Sequence, residues 1–288
     1  MEARRYFERI GFEDAGEALC SEPLSEGDLL SVGMVYRPGE VCHTLTSSNA
    51  NLYWLRSPDR VGFLPPTVIA SFMGMGRRGV FPTARRLIRS DYTLNYCLAE
   101  SVHYRVAHYC AAFALDQCSG LHTIGSLYSG AFDALAHGFA SAGTLLSSRF
   151  QSEQDPLKRS VLEASSGTEV IYSTVEEAAK VCPVVDVLVA SPSCHEVSTA
   201  GCSTSQEAAA AVAGHLRCIL GCLHRAHPRA VVIEQSYGLC THHPESYDIF
   251  CRGLASVPYR VYHRSLDAHV HFCASHYRRR LLWVMLRM

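Results

Sequence analysis

Four groups of residues in this 288-residue chain have the types and spacing that covalent and acid–base chemistry require. The first is Cys194. It follows the apolar run 184–190 through Ser191, Pro192 and Ser193, so a buried strand would deliver a thiol into a polar loop at its carboxyl end. Open α/β sheets place their ligands there. A thiol becomes a nucleophile once ionised, and nearby cationic groups promote that ionisation. The second is Glu234, at the end of the apolar run Val231-Val232-Ile233. Burial at that point would raise its pKa and suit it to proton sharing. The third is the pair Arg278 and Arg280, two positions apart before the apolar run 281–286. Alternate residues of a strand share a face, so both guanidinium groups could address one ligand or Glu234. The fourth is the glycine turn Ser126-Leu127-Tyr128-Ser129-Gly130, with the acidic residue Glu153 just beyond the next apolar run. Nucleoside-binding α/β folds use that combination: the turn admits a ligand to the backbone, and the carboxylate accepts from ribose hydroxyls.

These groups need elements to carry them. From about residue 120 the pattern alternates between strands and helices. Strands are predicted at 121–128, 145–151, 170–172, 184–190, 230–233, 259–263 and 281–286. Helices are predicted at 132–142 and 205–224, the second with Val212, Leu216, Ile219, Leu220 and Leu223 on one face and Ser203 and Gln206 at capping-box spacing. Upstream, strands are predicted at 30–36 and 41–46, and helices at 68–75, 83–89 and 94–115. The alternation implies an α/β, Rossmann-like, doubly wound and mostly parallel sheet. With it go a short recognition-like region (1–58), a helical segment (59–118) and a catalytic domain (119–288).

The segment Pro192-Ser193-Cys194-His195-Glu196, continued by Ser198, Ala200 and Gly201, resembles the nucleophile loop of the cytosine-C5 DNA methyltransferases, Gly-Pro-Pro-Cys-Gln followed by Phe-Ser-x-Ala-Gly. Tyr128-Ser129-Gly130-Ala131 resembles their cofactor turn, with Phe132 where a second glycine is usual. Glu153 with Asp155 resembles their Glu-x-Asp. Ser173-Thr174 stands where they have an Asp near the adenine. Glu234-Gln235-Ser236 resembles Glu-Asn-Val, and His276-Tyr277-Arg278-Arg279-Arg280 resembles Gln-x-Arg-x-Arg. Two segments that normally come last in the family resemble stretches near the front of this chain, 60–74 and Ala99-Glu100-Ser101-Val102. The resemblance therefore implies a circularly permuted member with degenerate motifs. It implies S-adenosylmethionine as cofactor, contacted by Tyr128, Ser129, Gly130, Ala131, Glu153, Ser173, Pro192 and Ser101. It further implies catalysis by Cys194, Glu234, Arg278 and Arg280 on a cytosine flipped from its stack.

Composition bounds these readings. A 48% hydrophobic content and a net charge of −1 fit a folded protein with no global basic footprint. Arginines nevertheless cluster at 77–89 and 278–280, where phosphates could be met. The 13 cysteines are odd in number and scattered through apolar segments, which favours reduced thiols. No apolar run is long enough to span a bilayer, and the first residues lack a signal-peptide core. The expectation is a soluble intracellular protein without a membrane partner, nuclear if eukaryotic and cytoplasmic if bacterial or phage. DNA is the expected substrate. RNA, an inactive binding module, and a protein partner that completes target recognition remain open, as does metal binding through Cys218, Cys222 and His224 or through Cys240, His242 and His243.

Overall fold

The computed structural model describes residues 35–36, 53–57, 60–63, 65–75, 80–195, 197, 204–274 and 276–288. Strands β1 (Val35–Tyr36), β2 (Tyr53–Ser57) and β3 (Arg60–Phe63) make a small sheet in that order. Of the two strands predicted upstream, only Val35–Tyr36 is seen; residues 41–46 lie outside the described residues, as do Arg77, Arg78, Glu196, Ser198, Ala200, Gly201 and Ser203.

Helices α1 (Pro66–Phe72), α2 (Val80–Leu87), α3 (Asp91–Glu100) and α4 (Tyr104–Gln117) follow. The single helix predicted over 94–115 is two helices. Ser101 and His103 adopt extended backbone between them, and His103 Nδ1 accepts the Arg105 N–H at 3.2 Å, capping α4. An apolar period continuous across the break hid a local side-chain-to-backbone bond that starts a new helix.

The remaining elements are β4 (Thr123–Leu127), α5 (Ala134–Ser141), β5 (Ser147–Ser152), α6 (Pro156–Ser165), β6 (Val170–Tyr172), α7 (Val175–Val181), β7 (Val187–Ala190), α8 (Ser205–Ala226), β8 (Ala230–Ser236), α9 (Gly238–His242), α10 (Pro244–Ala255), β9 (Tyr259–Asp267), α11 (Ala268–Phe272) and β10 (Arg279–Arg287). Seven strands form one sheet in the order β6-β5-β4-β7-β8-β10-β9. The pairings from β6 to β8 are parallel, and β10 runs antiparallel to both β8 and β9. The chain winds outward from β4 to β6, then crosses back to β7, so the order reverses between β4 and β7. That reversal opens a crevice at the carboxyl ends of the strands.

All four residues of β7 are buried, as expected for a parallel strand covered on both faces. Val187 and Val189 join the layer with α4 and α5, whereas Leu188 and Ala190 join the layer with α7, α8 and α10. Helix α8 starts with a capping box, but its members are Thr204 and Glu207, one residue beyond the predicted Ser203 and Gln206. A third core couples α1, α2 and α3 to Ala131, Phe132 and Val161 of the large sheet's first crossover units. Helix α4 reaches α5 at Gly138, where an added Cβ would lie 2.6 Å from the Ala107 carbonyl; only glycine allows that approach.

Candidate active site

Three strand ends build one side of the crevice. Strand β8 carries Glu234 near its carboxyl end and continues to Ser236, two residues past the buried carboxylate. Because β10 is antiparallel, its beginning lies beside the end of β8, with Arg280 opposite Ser236 and Leu282 opposite Glu234. Residues 280 and 282 thus share the face of Glu234. Arg280 Nε donates to Glu234 Oε1 at 2.8 Å, and the Ser191 hydroxyl donates to Oε2 at 2.6 Å. Glu234 is 5% exposed, so both carboxylate oxygens are engaged in a nearly dry site.

The loop after β7 brings Cys194 within the electrostatic reach of Arg280, Glu234 and Arg278. Burial pushes its thiol above the usual value, Arg280 and then Arg278 pull it down, and Glu234 acts with burial. Gln235, 2% exposed, aims its amide at the carbonyls of Pro192 (3.5 Å) and Ser193 (3.4 Å) from the floor below. Pro192 is buried, and the Ser191 N–H reaches Leu127 O at 3.3 Å, which ties this loop to β4. Arg278 is 1% exposed and donates to Ser101 O at 2.6 Å. Burial and the adjacent Arg280 push its guanidinium down to about 9. The structure thus brings Cys194, Glu234, Arg278, Arg280 and Ser101 into one neighbourhood.

The other side of the crevice is the turn after β4. Tyr128, Gly130 and Asp133 all have positive φ, at 55°, 62° and 40°. Left-handed backbone costs a non-glycine residue about 1–2 kcal/mol, so this turn is held by its surroundings. Ser129 donates its N–H to Ser152 O (2.9 Å) and its hydroxyl to Ser126 Oγ (3.0 Å), spending both inside the turn. Beneath it Asp133, 5% exposed, accepts from Ser126 Oγ at 2.7 Å and Gln151 Nε2 at 2.6 Å. Its carboxyl is pushed up by burial, with the two hydrogen bonds opposing.

Glu153 sits beside the turn, 8% exposed, accepting the N–H groups of Gly130 (2.8 Å) and Asp155 (2.9 Å). Burial raises its pKa, while the Asp155 N–H and the Lys158 ammonium lower it. Asp155, paired with Glu153 in the sequence reading, caps α6 through the N–H groups of Leu157 (2.8 Å) and Lys158 (3.1 Å). Tyr128 turns its ring toward α8, edge-on to His215 at 5.1 Å with its hydroxyl 3.0 Å from Nδ1. Ala131 and Phe132 are buried in the core shared with α1–α3. Ser173 is exposed in the bend after β6, its hydroxyl on Glu177 at 3.1 Å. Glu100 pairs with Lys158 at 2.5 Å; burial works against the ammonium, but Glu100 holds it above its ordinary value.

The sequence reading did not single out Ser191, Asp133 or the cradle role of Gln235. Ser191 and Gln235 each flank a residue it did choose, and position relative to a strand end was the available signal. Among the described residues no group of three or more His, Cys, Asp or Glu is arranged to hold a metal ion, and no helix is long and apolar enough to cross a membrane.

A seven-stranded α/β sheet with one antiparallel strand, a nucleotide-type turn after its first strand and a cysteine loop after its fourth defines a Rossmann-like methyltransferase. Residues 122–288 match the profile of the C-5 cytosine-specific DNA methylases, and the chain belongs to that family. No curated protein matches it in sequence. Similar solved structures include the S. pombe Dnmt2 methyltransferase, 15% identical with a TM-score of 0.44 over 58% of this chain and 50% of that one. A putative DNA modification methyltransferase encoded within an E. coli prophage is 13% identical, with a TM-score of 0.44 over 58% and 47%. TrmN from Thermus thermophilus is 15% identical, with a TM-score of 0.43 over 72% and 52%. The chain spans about half the length of these three proteins.

Proposed function

We propose that this chain is a DNA (cytosine-5)-methyltransferase that uses S-adenosylmethionine, and that it carries the family's closing segments at its front. The observation that carries the reading is the Arg280–Glu234–Ser191 arrangement at the carboxyl edge of the sheet, within electrostatic reach of Cys194.

The residues of the β4 turn fit the cofactor. Gly130 has φ +62° and open space where a Cβ would be, so a ligand can lie against its backbone. Both Glu153 oxygens accept one N–H and keep a lone pair for ribose hydroxyls. When bound there, S-adenosylmethionine supplies an electrophilic methyl group. Gly130 and Glu153 would hold it, Pro192 would border it, and Ser129 and Ala131 shape the turn from within.

On the substrate side, Cys194 as thiolate adds to C6 of a flipped cytosine, and the electron pair displaced from the C5–C6 double bond makes C5 nucleophilic. Glu234 stabilises protonation at N3, with Arg280 and Ser191 fixing its orientation. C5 takes the methyl group, then loses its proton to a base. The returning electron pair restores the double bond and expels the thiolate, so the enzyme is regenerated. Arg280 and Arg278 favour the thiolate against the cost of its burial.

The test is trapping on 5-fluorocytosine DNA with S-adenosylmethionine, because fluorine at C5 blocks the final elimination. Wild type is expected to give a denaturant-resistant adduct, and Cys194→Ala none. Adduct formation on similarly substituted RNA alone would move the substrate to RNA. No adduct on either would replace the enzyme with a catalytically inactive binding module.

A further inference from the structure

Arg278 is buried on Ser101 and Arg280 pairs with Glu234; Arg279, between them, turns elsewhere. Its guanidinium stacks on the Tyr237 ring at 3.9 Å and donates to Ser265 Oγ at 3.3 Å, so an exposed cation is held in one orientation. It lines a groove of about 550 Å³ with Arg264, Ser265, Asp267, Val270 and His271, at the end of β9 and over α11. We propose that this groove binds the phosphodiester backbone of the nucleic acid whose base enters the Cys194 pocket. The inference rests on the nucleic-acid reading above and names a surface for it.

Charge and position both support the assignment. The one acidic group in the groove, Asp267, turns its Oδ1 to the cap of α11, accepting the N–H groups of His269 (2.9 Å) and Val270 (3.2 Å), and its single charge is outnumbered by two arginines. His271 lies over the same turn, its Nδ1 3.0 Å from both the N–H and the carbonyl oxygen of Asp267. Arg264 and Arg279 remain as cations, and a guanidinium fork matches a phosphate in shape as well as charge. Because β10 is antiparallel, Arg279 lies at the same edge of the sheet as Glu234. Phosphate contacts of this kind fix register without reading sequence.

The experiment measures binding of a fluorescein-labelled DNA duplex by anisotropy across a salt series, with the full chain as wild type, Arg279→Gln, Arg264→Gln and the double variant. Each single change is expected to weaken binding about three- to tenfold on every sequence, and to lower the salt slope by about 1. Thermal midpoints and S-adenosylmethionine binding should stay at wild-type values, separating a lost contact from a lost fold. Wild-type affinity and slope in the double variant would overturn the groove, while an intact fluorocytosine adduct in wild type would leave the catalytic reading standing. Displacement of the duplex by polyglutamate as effectively as by unlabelled DNA would overturn the phosphodiester assignment. A wild type that neither binds nor traps DNA or RNA would overturn both readings.

Discussion

The two sides of the crevice are built by different means. The Glu234 side is a polar arrangement on regular strands: Glu234 and Arg280 are set by register, Arg278 is buried just before β10, and the Cys194 loop is tied down through Gln235 and Ser191. The Gly130 side is an irregular turn with three positive φ angles, held by a buried Asp133 below and by the packing of Phe132 into α1–α3. Departures from the family's motifs differ accordingly. On the Glu234 side the charged groups persist and their neighbours change, with Gln235 bonding the loop backbone. On the Gly130 side Phe132 fills a glycine position and becomes core, 1% exposed. The first side therefore depends on electrostatic pairing, and the second on the docking of the front helices.

The sharpest way to break this comparison is Arg280→Met. It removes the partner of a carboxylate that is 5% exposed. Breaking a buried ion pair from one side costs about 3–5 kcal/mol, because the remaining charge is left uncompensated. Fluorocytosine trapping should be lost, and Cys194 alkylation should need higher pH, since the first of the two cations opposing the rise from burial is gone. S-adenosylmethionine binding should survive in whatever fraction stays folded. Cofactor and adduct falling together would show that the two sides are one cooperative unit.

Phe132→Ala probes the other side. Truncating a buried phenylalanine costs about 3–5 kcal/mol, and here the loss lies in the core joining the front helices to the turn. Weakened cofactor binding and earlier proteolysis between residues 66 and 117 are expected, with the Cys194 alkylation profile retained in the folded protein. A simple drop in thermal midpoint with unchanged cofactor affinity would mean that Phe132 stabilises the helices without shaping the turn.

The legibility of the sequence divides along the same line. The strand predicted at 170–172 is β6 as observed, and those at 184–190, 230–233 and 281–286 fall on β7, β8 and β10, because buried parallel strands and the antiparallel strand inserted among them write long apolar runs. The extension of β8 to Ser236 was invisible because its last residues are polar and are ordered by pairing with Arg280 and Leu281 of a strand far along the chain. Helix α6 did have a local signal in Asp155-Pro156, a cap followed by proline at the first position. Tyr128 shows the limit most clearly: its place in the turn was readable, but the direction of its ring depends on His215, 87 residues away.

The smallest predicted effect concerns the seam between the two sides. His276 is fully buried among Phe72 (6.4 Å), His103 (5.6 Å) and Arg278, and neither of its ring nitrogens has a hydrogen-bond partner among the described residues. Burial, then Arg278, His103, Arg280 and His269, hold it well below the usual histidine range. His103 is lowered to about 4 by burial, then by Arg278 and Arg105. For both, the folded pKa lies below the unfolded value near 6.5, so the unfolded chain binds more protons between those limits and stability falls as pH drops from about 6.5 towards 4. The His103 shift alone is worth about 3 kcal/mol over that window. Asp133 and Glu153, with raised folded values, work in the opposite direction, so the difference between variants carries the information. His276→Leu removes one buried imidazole and its unmet hydrogen bonds, and should raise the thermal midpoint at pH 5 more than at pH 7.5. Equal gains at both pH values would show that the seam histidines do not titrate as a packed pair, and would leave the coupling of the front helices to apolar packing alone.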